Sequence, residues 1–130
     1  MYMFMDSCAQ AADKAGIRGN LARGLAGISP NAQTGLKENI ALFQKWNGAG
    51  DGRFKVMLGP HAPYTCPPDY IKQVRDVGEK YGIPIHIHLS ETKGEVENCL
   101  KEYGKTPIAL MNDLGLFDLP TLAAHCVHVT

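Results

Sequence analysis

The sequence predicts an α/β fold in which parallel strands alternate with crossover helices. Four extended segments start roughly 30 to 37 residues apart, a spacing typical of repeated βα units. At least one helical pattern lies between neighbouring segments, as the connection of parallel strands requires. Two architectures fit these observations, namely an open doubly wound sheet and part of an eight-stranded barrel. The periodicity does not separate the two, although the glycine-rich motifs of nucleotide-binding open sheets are missing.

Composition and charge narrow the function classes. The 130 residues suffice for one domain, and the 45% hydrophobic and 20% charged content is ordinary for a globular protein. Because 13 basic residues balance 13 acidic ones, we expect no nucleic-acid partner. The apolar runs are too short to cross a bilayer and no basic region precedes the apolar start, so we expect no membrane association and a cytoplasmic location. The widely spaced cysteines predict free thiols.

Two helices and two strands are predicted in the first half of the chain. Apolar residues at helical spacing begin at Met5, and Gly16 ends that helix. The second helix follows a predicted loop over residues 31–35 and ends before Gly48. The second strand is predicted to break at Gly59. The predicted helices are 5–15 and 37–46, and the predicted strands are 17–25 and 54–58.

Three helices and two strands are predicted in the second half. The proline pair at 67–68 suits the first turn of a helix, because a backbone N–H has no helical partner there, and Gly82 ends that helix. Ile71, Val74 and Tyr81 are expected on its apolar face. The predicted helices are 67–81, 93–103 and 107–114, and the predicted strands are 83–89 and 121–127.

The strand over 83–89 carries the most informative pattern. Its odd positions are aliphatic, whereas His86 and His88 occupy even positions and therefore share one face. In a barrel that face points into the lumen, and His88 lies nearer the carboxyl end, where barrel active sites are built. Glu91 follows just beyond the strand. A metal-binding imidazole near a carboxylate is what metal-assisted hydrolysis needs, because the metal lowers the pKa of water and the carboxylate moves its proton.

Two more histidines stand at comparable strand ends. His61 follows the strand over 54–58, and His125 lies near the end of the last strand. Because the carboxyl ends of parallel strands meet on one rim, His61, His88 and His125 are expected to converge there. The alternative is that each is a hydrogen-bonded structural residue beside the core, the commoner role of a single histidine. His128 breaks the alternation and is interpreted in that way.

Three segments resemble consecutive motifs of one enzyme group. They read GPHAPYTC at 59–66, HIHLSET at 86–92 and AAHCV at 123–127. Together they are similar to the 5-methylthioadenosine/S-adenosylhomocysteine deaminases of the amidohydrolase superfamily, a group that also includes proteins called chlorohydrolases. The similarity extends over nearly the whole chain, including 21–25 and 46–48. The motifs are specific to this branch of the superfamily and less specific to one substrate.

The resemblance implies a role for five side chains. His88 matches a metal ligand, Glu91 matches the proton shuttle, and His125 matches the histidine that orients the attacking water. His61 matches a histidine that contacts the purine, and Arg23 matches an arginine near the polar tail of the substrate. The implied cofactor is Zn²⁺ or another divalent metal. The implied reaction is hydrolytic deamination of a purine nucleoside or a related heterocycle, with release of ammonia.

The resemblance also implies that much of the barrel lies outside this chain. The family begins its barrel with a His-x-His metal pair on the first strand and supplies an aspartate ligand after the last strand. No His-x-His precedes His86 here, and the sequence stops at Thr130, before a strand that would supply the aspartate. A full barrel needs about 250 residues, so 1–130 would form a single partial domain, the middle βα units and about half of a TIM-type barrel. Because a catalytic zinc takes three protein ligands, we expect the chain alone to be inactive. We also expect it to self-associate through open barrel edges.

Two alternatives to an adenosine-type deaminase remain open. One is another amidohydrolase, such as a guanine or cytosine deaminase or an s-triazine chlorohydrolase. The other is a non-catalytic α/β module whose histidines are structural. The loop over 29–35 has no arginine to bind a substrate tail, so the residues do not select the substrate.

Overall fold

A parallel sheet organises the chain. In residues 1–129, which the computed structural model describes, four strands lie side by side in chain order, and each pairs in parallel with the next. They are β1 (Gly19–Leu25), β2 (Phe54–Pro60), β3 (Ile85–Leu89) and β4 (Thr121–His125). A barrel grows in this way, without reversal of strand order, whereas a doubly wound sheet reverses. The predicted parallel βα repeat is confirmed.

One helix precedes β1, and helices connect each strand to the next, as predicted. They are α1 (Met5–Lys14), α2 (Ala32–Trp46), the short turn α3 (Ala49–Gly52), α4 (Pro68–Tyr81), α5 (Lys93–Tyr103) and α6 (Pro107–Asp113). Thr92 and Thr106 begin α5 and α6, and each accepts a backbone N–H hydrogen bond on its side chain. Gly82 ends α4 in the left-handed conformation that glycine adopts without strain. Within residues 1–129, no helix combines the length and apolarity needed to span a bilayer.

The second helix begins earlier than the sequence predicted. α2 starts at Ala32, so the predicted loop over residues 31–35 is wrong. Gly35 belongs to the first turn of this helix, where an added Cβ would lie 3.3 Å from Cζ of Arg23 on β1. Glycine at this position therefore lets the helix approach the strand closely, and it does not mark a break.

The strand ends also differ from the predicted ones. β1 and β3 each begin two residues later, and β2 continues through Gly59 to Pro60. A Cβ on Gly59 would lie 2.5 Å from the carbonyl oxygen of Arg23, so this glycine permits a close approach of β1 and β2. β4 ends at His125, because His125 and Cys126 have φ values of 69° and 50° and cannot continue the strand.

Buried aliphatic side chains form the core between the sheet and the helices. The three aliphatic residues of β3 are fully buried in one cluster with Ile71 and Val74 of α4. Tyr81, predicted on the same face of that helix, is instead 38% exposed. A second cluster consists of Met5, Ala9, Leu21, Leu42, Trp46, Phe54 and Val56. The helices therefore cover one face of the sheet, and the other face is left for the site.

Tyr2 adds one bridge beside β1 that the sequence did not predict. Its backbone N–H donates to the carbonyl oxygen of Ala22 at 3.1 Å, and its carbonyl oxygen accepts from the N–H of Gly24 at 3.2 Å. This parallel bridge places an extended segment at the outer edge of β1. The sheet is thus continued on that side, as successive strands of a barrel continue one another.

Candidate active site

β3 separates its aliphatic and histidine side chains onto two faces. Ile85, Ile87 and Leu89 are fully buried against the helices, whereas His86 and His88 are half-buried on the opposite face. The centroids of the two imidazole rings are 5.9 Å apart. Burial lowers the pKa of His86, and His88 contributes to the shift. The alternation of β3 therefore places both histidines on the face that helices leave uncovered.

The structure brings three histidines together at the carboxyl ends of three neighbouring strands. The ring centroids of His61 and His88 are 5.1 Å apart, and those of His88 and His125 are 5.3 Å apart. His88 lies in the middle because β3 lies between β2 and β4. The sequence predicted this convergence, and the chemical roles of the three side chains stay predictions.

His88 is held in one orientation by two hydrogen bonds. Its backbone N–H and its ring Nδ1 both point to the carbonyl oxygen of His61, at 3.0 and 2.7 Å. A carbonyl oxygen only accepts, so Nδ1 donates the proton, and Nε2 of the neutral ring keeps a free lone pair. Metal-ligating histidines commonly show this arrangement, in which the second ring nitrogen donates to a carbonyl. His88 therefore fits a metal ligand that binds through Nε2.

His61 presents its outer ring nitrogen in the same way. Nδ1 lies 2.9 Å from Oγ1 of Thr65, whose own hydrogen is donated to the carbonyl oxygen of Ala62 at 3.1 Å. Nδ1 of His61 is therefore the donor, and Nε2 is free to accept a hydrogen bond. Burial first, and the neighbouring His88 second, lower the pKa of His61. Its ring consequently stays neutral to a lower pH than an exposed imidazole.

Glu91 and His125 face each other across the ends of β3 and β4. Oε1 of Glu91 lies 3.5 Å from Nε2 of His125. The two side chains are 42% and 38% exposed, so a small molecule can reach both. This distance is slightly longer than the hydrogen bond that proton transfer needs, and such catalytic contacts commonly shorten when substrate binds. This pair is the candidate proton-transfer centre of the site.

A left-handed backbone conformation turns the ring of His125 toward His88 and Glu91. In the β3–β4 register His125 lies opposite Leu89, whose side chain is buried on the helix side. Regular alternation would send the imidazole to that side as well. With φ at 69° the backbone leaves the strand conformation, and the ring lies beside His88 instead. Such conformations are uncommon for non-glycine residues and concentrate at functional sites.

Two residues that the sequence did not predict hold Glu91 in place. Ser90 is buried and has φ at 50°. Glu95, in the first turn of α5, is 8% exposed, and its carboxylate accepts the backbone N–H groups of Ser90 and Glu91, both at 2.9 Å. The hydroxyl of Thr92 accepts the N–H of Glu95 at 3.1 Å. The sequence did contain a signal for Glu95, because Thr92-x-x-Glu95 has the spacing of a capping box at the start of a helix.

Arg23 lies on the helix side of β1. Its Nε and a terminal nitrogen bond the Glu38 carboxylate of α2 at 2.9 and 2.8 Å, and a third hydrogen bond reaches the carbonyl oxygen of Gly24. Its register partner on β2 is Leu58, which is fully buried in the cluster beneath the helices. The structure therefore does not bring Arg23 together with the histidines. Its role in substrate binding stays a prediction.

The metal-binding potential of the described residues is limited to parts of a site. Among residues 1–129, no three His, Cys, Asp or Glu side chains are grouped so that they could hold a metal ion. A catalytic zinc ion usually takes three protein ligands and a water molecule. Of the described residues, His88 fits as one such ligand through Nε2.

An open cleft of about 850 Å³ reaches Glu91 from the side of α5. Pro63 and Tyr64, in the loop after β2, line one wall, and Asn98 of α5 lines another. Burial raises the pKa of Tyr64, and the charges of Glu91 and Glu95 raise it further. The Tyr64 phenol therefore keeps its proton and can donate a hydrogen bond into the cleft.

Comparison with known sequences places this geometry in a known group. The sequence model of the amidohydrolase family matches residues 1–130. The 5-methylthioadenosine/S-adenosylhomocysteine deaminase of Moorella thermoacetica is 50% identical over 130 residues, which are 100% of this chain and 30% of that protein. The chain thus spans about 30% of the length of the curated relatives it matches.

Solved structures show the same fold. An adenosine deaminase from Xanthomonas campestris with bound zinc has a TM-score of 0.88 and 25% sequence identity, over 100% of this chain and 30% of that one. A guanine deaminase from C. acetobutylicum with bound guanine has a TM-score of 0.82 and 21% identity, over 97% of this chain and 32% of that one. The second likeness shows the fold alone.

Proposed function

The chain belongs to the amidohydrolase family, and from this premise we propose that it forms part of a metal-dependent hydrolase that deaminates an adenosine-type substrate. The observation that carries the proposal is that Glu91 and His125 meet at 3.5 Å beside His88, whose Nε2 is free. A proton-transfer pair next to a prepared metal ligand suits the attack of water on a ring carbon. The substrates proposed are 5-methylthioadenosine and S-adenosylhomocysteine, after the relatives that share half of this sequence.

His88 would hold the metal through Nε2, together with ligands supplied from beyond this chain. The hydrogen bond from Nδ1 to the carbonyl oxygen of His61 fixes the ring orientation that this requires. Zinc is the proposed metal, because it suits imidazole ligands and because a solved adenosine deaminase of this fold contains it. Another divalent metal would suit the same nitrogen. When bound, the metal lowers the pKa of a water molecule and so supplies the nucleophile.

Glu91 would move the proton in the reaction. Its carboxylate can accept a proton from the attacking water and donate it to the ring nitrogen beside the reacting carbon. Protonation at that nitrogen promotes the addition. The same carboxylate can then pass the proton of the added hydroxyl group to the amino group, so that ammonia leaves as the carbon–nitrogen bond breaks and a carbonyl forms. Glu91 is suited to this role because it stands at the strand end and is 42% exposed, within reach of both water and a substrate ring.

The two flanking histidines would orient the reactants. His125 lies 3.5 Å from Glu91 and its ring centroid lies 5.3 Å from that of His88, so a water molecule among the three can bond His125 and Glu91. His61 donates through Nδ1 to Thr65, so its Nε2 would accept a hydrogen bond from an N–H or O–H group of the substrate.

Other members of the family would use the same side chains on a different ring. A guanine or cytosine deaminase, or an s-triazine chlorohydrolase, requires the same water attack, with ammonia or chloride as the leaving group. The guanine deaminase likeness is at 21% identity and supports the fold alone. The higher identity to the adenosine-type deaminases therefore decides the proposed substrate.

Further parts of the proposal concern binding and assembly. Arg23 would contact the polar tail of the substrate, for which its ion pair with Glu38 would have to open. Leu122 and Val127, in and after β4, are 42% and 64% exposed, which supports self-association of the isolated chain at that edge. The single partial domain over 1–130, the cytoplasmic location and the absence of nucleic-acid and membrane partners also remain part of the proposal.

The experiment that tests the function uses the full-length protein containing this segment. Glu91→Gln keeps the size of the side chain and removes its ability to carry a proton. We expect kcat for ammonia release from 5-methylthioadenosine to fall by about 10²- to 10⁴-fold, with the zinc content unchanged. Glu97→Gln is the matched control, because Glu97 lies on the exposed face of α5 and pairs with Lys93. Near-normal turnover in Glu91→Gln would remove Glu91 from the proposed role.

A substrate panel tests the proposed substrate class with the same enzyme. We expect kcat/KM to be higher for 5-methylthioadenosine and S-adenosylhomocysteine than for guanine, cytosine or a chlorinated s-triazine. The assays measure ammonia, or chloride for the triazine. A higher kcat/KM for guanine, cytosine or the triazine would move the chain to another reaction of the same family.

A further inference from the structure

We propose that Glu95 is a positioning residue that fixes Glu91 and His125 relative to each other. The inference rests on the proposed function, because it concerns the geometry of the proton-transfer pair. Glu95 belongs to α5 and lies one helical turn beyond the strand end that carries Glu91. Glu95 lies outside the three motifs from which the site was predicted.

The Glu95 carboxylate clamps the backbone on which Glu91 stands. Oε1 accepts the N–H of Ser90 and Oε2 accepts the N–H of Glu91, each at 2.9 Å. The two successive N–H groups converge on one carboxylate because Ser90 has φ at 50°, a conformation that forms an anion-binding concavity. Each oxygen of Glu95 thus holds one residue at the end of β3.

Ser90 extends the clamp from β3 to the segment that follows His125. The carbonyl oxygen of Ser90 accepts the N–H groups of Val127 and His128, at 3.1 and 2.9 Å. Glu95 therefore bonds the N–H side of Ser90, and the segment after β4 bonds its carbonyl side. A rotation of the peptide groups around Ser90 would displace both Glu91 and His125. Their separation of 3.5 Å would change as a result.

An ordinary helix cap does not account for this carboxylate. In a capping box the glutamate bonds the N–H of the N-cap residue, which here is Thr92. Glu95 reaches instead to Ser90 and Glu91, outside the helix. Burying a carboxylate is unfavourable unless hydrogen bonds offset its lost hydration, and two charge-assisted bonds do so here. The contacts are therefore directed at the strand end, where the proton-transfer pair stands.

The test substitutes Glu95 by Gln in the full-length, zinc-loaded enzyme. Gln keeps the shape but has one acceptor oxygen, and its NH₂ group would face one of the two backbone N–H groups. We expect kcat to fall by about 10- to 100-fold with KM within about threefold and zinc content unchanged, because misplacement of a reacting group slows the chemical step. Glu97→Gln, on the exposed face of the same helix, should keep the wild-type kcat.

Thr92→Ala separates positioning from simple capping of α5. It removes the hydroxyl that accepts the N–H of Glu95 and leaves the carboxylate in place. We expect a lower thermal stability and a kcat loss smaller than that of Glu95→Gln. A kcat loss equal to that of Glu95→Gln at equal stability loss, or a normal kcat in Glu95→Gln, would overturn the inference. A normal kcat in Glu91→Gln would instead overturn the proposed function itself.

Hydrogen exchange of the unsubstituted protein gives a second measurement if Glu95→Gln does not fold. Amides bonded to a buried carboxylate exchange slowly, so the N–H groups of Ser90 and Glu91 should be protected by at least about 100-fold relative to an unstructured chain. Exchange of both amides at the rate of an exposed loop would contradict the clamp.

Discussion

Replacement of Asn39 by Ala should destabilise the fold more than a single substitution at an exposed position of a helix. Asn39 lies on α2 and is fully buried. Its Nδ2 donates to the carbonyl oxygen of Met57 at 2.9 Å, and its Oδ1 accepts the N–H of Gly59 at 3.2 Å. Ala would remove both hydrogen bonds to these buried backbone groups of β2, and the loss of a buried partner costs about 1–3 kcal/mol for each group. The expected loss in the free energy of unfolding is therefore about 2–6 kcal/mol.

Urea denaturation of the full-length protein, followed by circular dichroism, measures this loss. Asn112→Ala is the matched control, because Asn112 is an exposed residue of α6, and its loss should stay within about 0.5 kcal/mol. Asn39→Asp should also lower the free energy of unfolding, because the new carboxylate keeps an acceptor for the Gly59 N–H but buries a charge. A loss below about 1 kcal/mol for Asn39→Ala would refute the argument that this side chain satisfies the strand.

Two further predictions concern acid stability and the isolated chain. Hydrogen bonds from Lys45 and Trp46 lower the pKa of Asp6 from 3.8 to about 2. The stabilisation from ionised Asp6 is therefore complete above pH 3.8 and is lost as the pH falls through about 2. The Asp6→Asn variant should therefore show a smaller decline in Tm over this range than the unsubstituted protein. Asp69 is fully exposed, so Asp69→Asn is the control and should leave the decline unchanged. The purified 130-residue chain, dialysed against a weak chelator, should retain much less than one zinc per chain and show a light-scattering mass above 14.1 kDa. A tightly held zinc ion would contradict the expectation of a partial metal site. A monomeric mass would contradict the expectation of self-association through open edges.

The sequence predicted β3 and its histidines well for a physical reason. Three aliphatic residues alternate with two histidines, and only an extended strand can bury the first set while presenting the second. The position of His61 followed from the same reasoning, because it stands just after a neighbouring strand. The start of α2 could not be predicted in this way, since Gly35 signals a loop locally and its packing against Arg23 depends on the folded structure.

The remaining site geometry depends on backbone conformation that the pattern does not encode. Strand alternation gives the wrong side for the His125 ring, and only the left-handed conformation at that residue explains its place beside His88. Glu95 is a different case, because its capping-box spacing from Thr92 was visible in the sequence. The spacing predicts a helix start, however, and does not reveal that the carboxylate reaches back to Ser90 and Glu91.

The order of the strands has a consequence for how the protein assembles. Each strand of the sheet pairs with the one before or after it in the chain, so the pairing contacts span one βα unit at a time. Such a topology keeps contact order low for a parallel sheet, and folding can advance unit by unit as the polypeptide leaves the ribosome. The same modularity confines the pairing contacts of the sheet to neighbouring βα units, so each strand depends on the strands beside it.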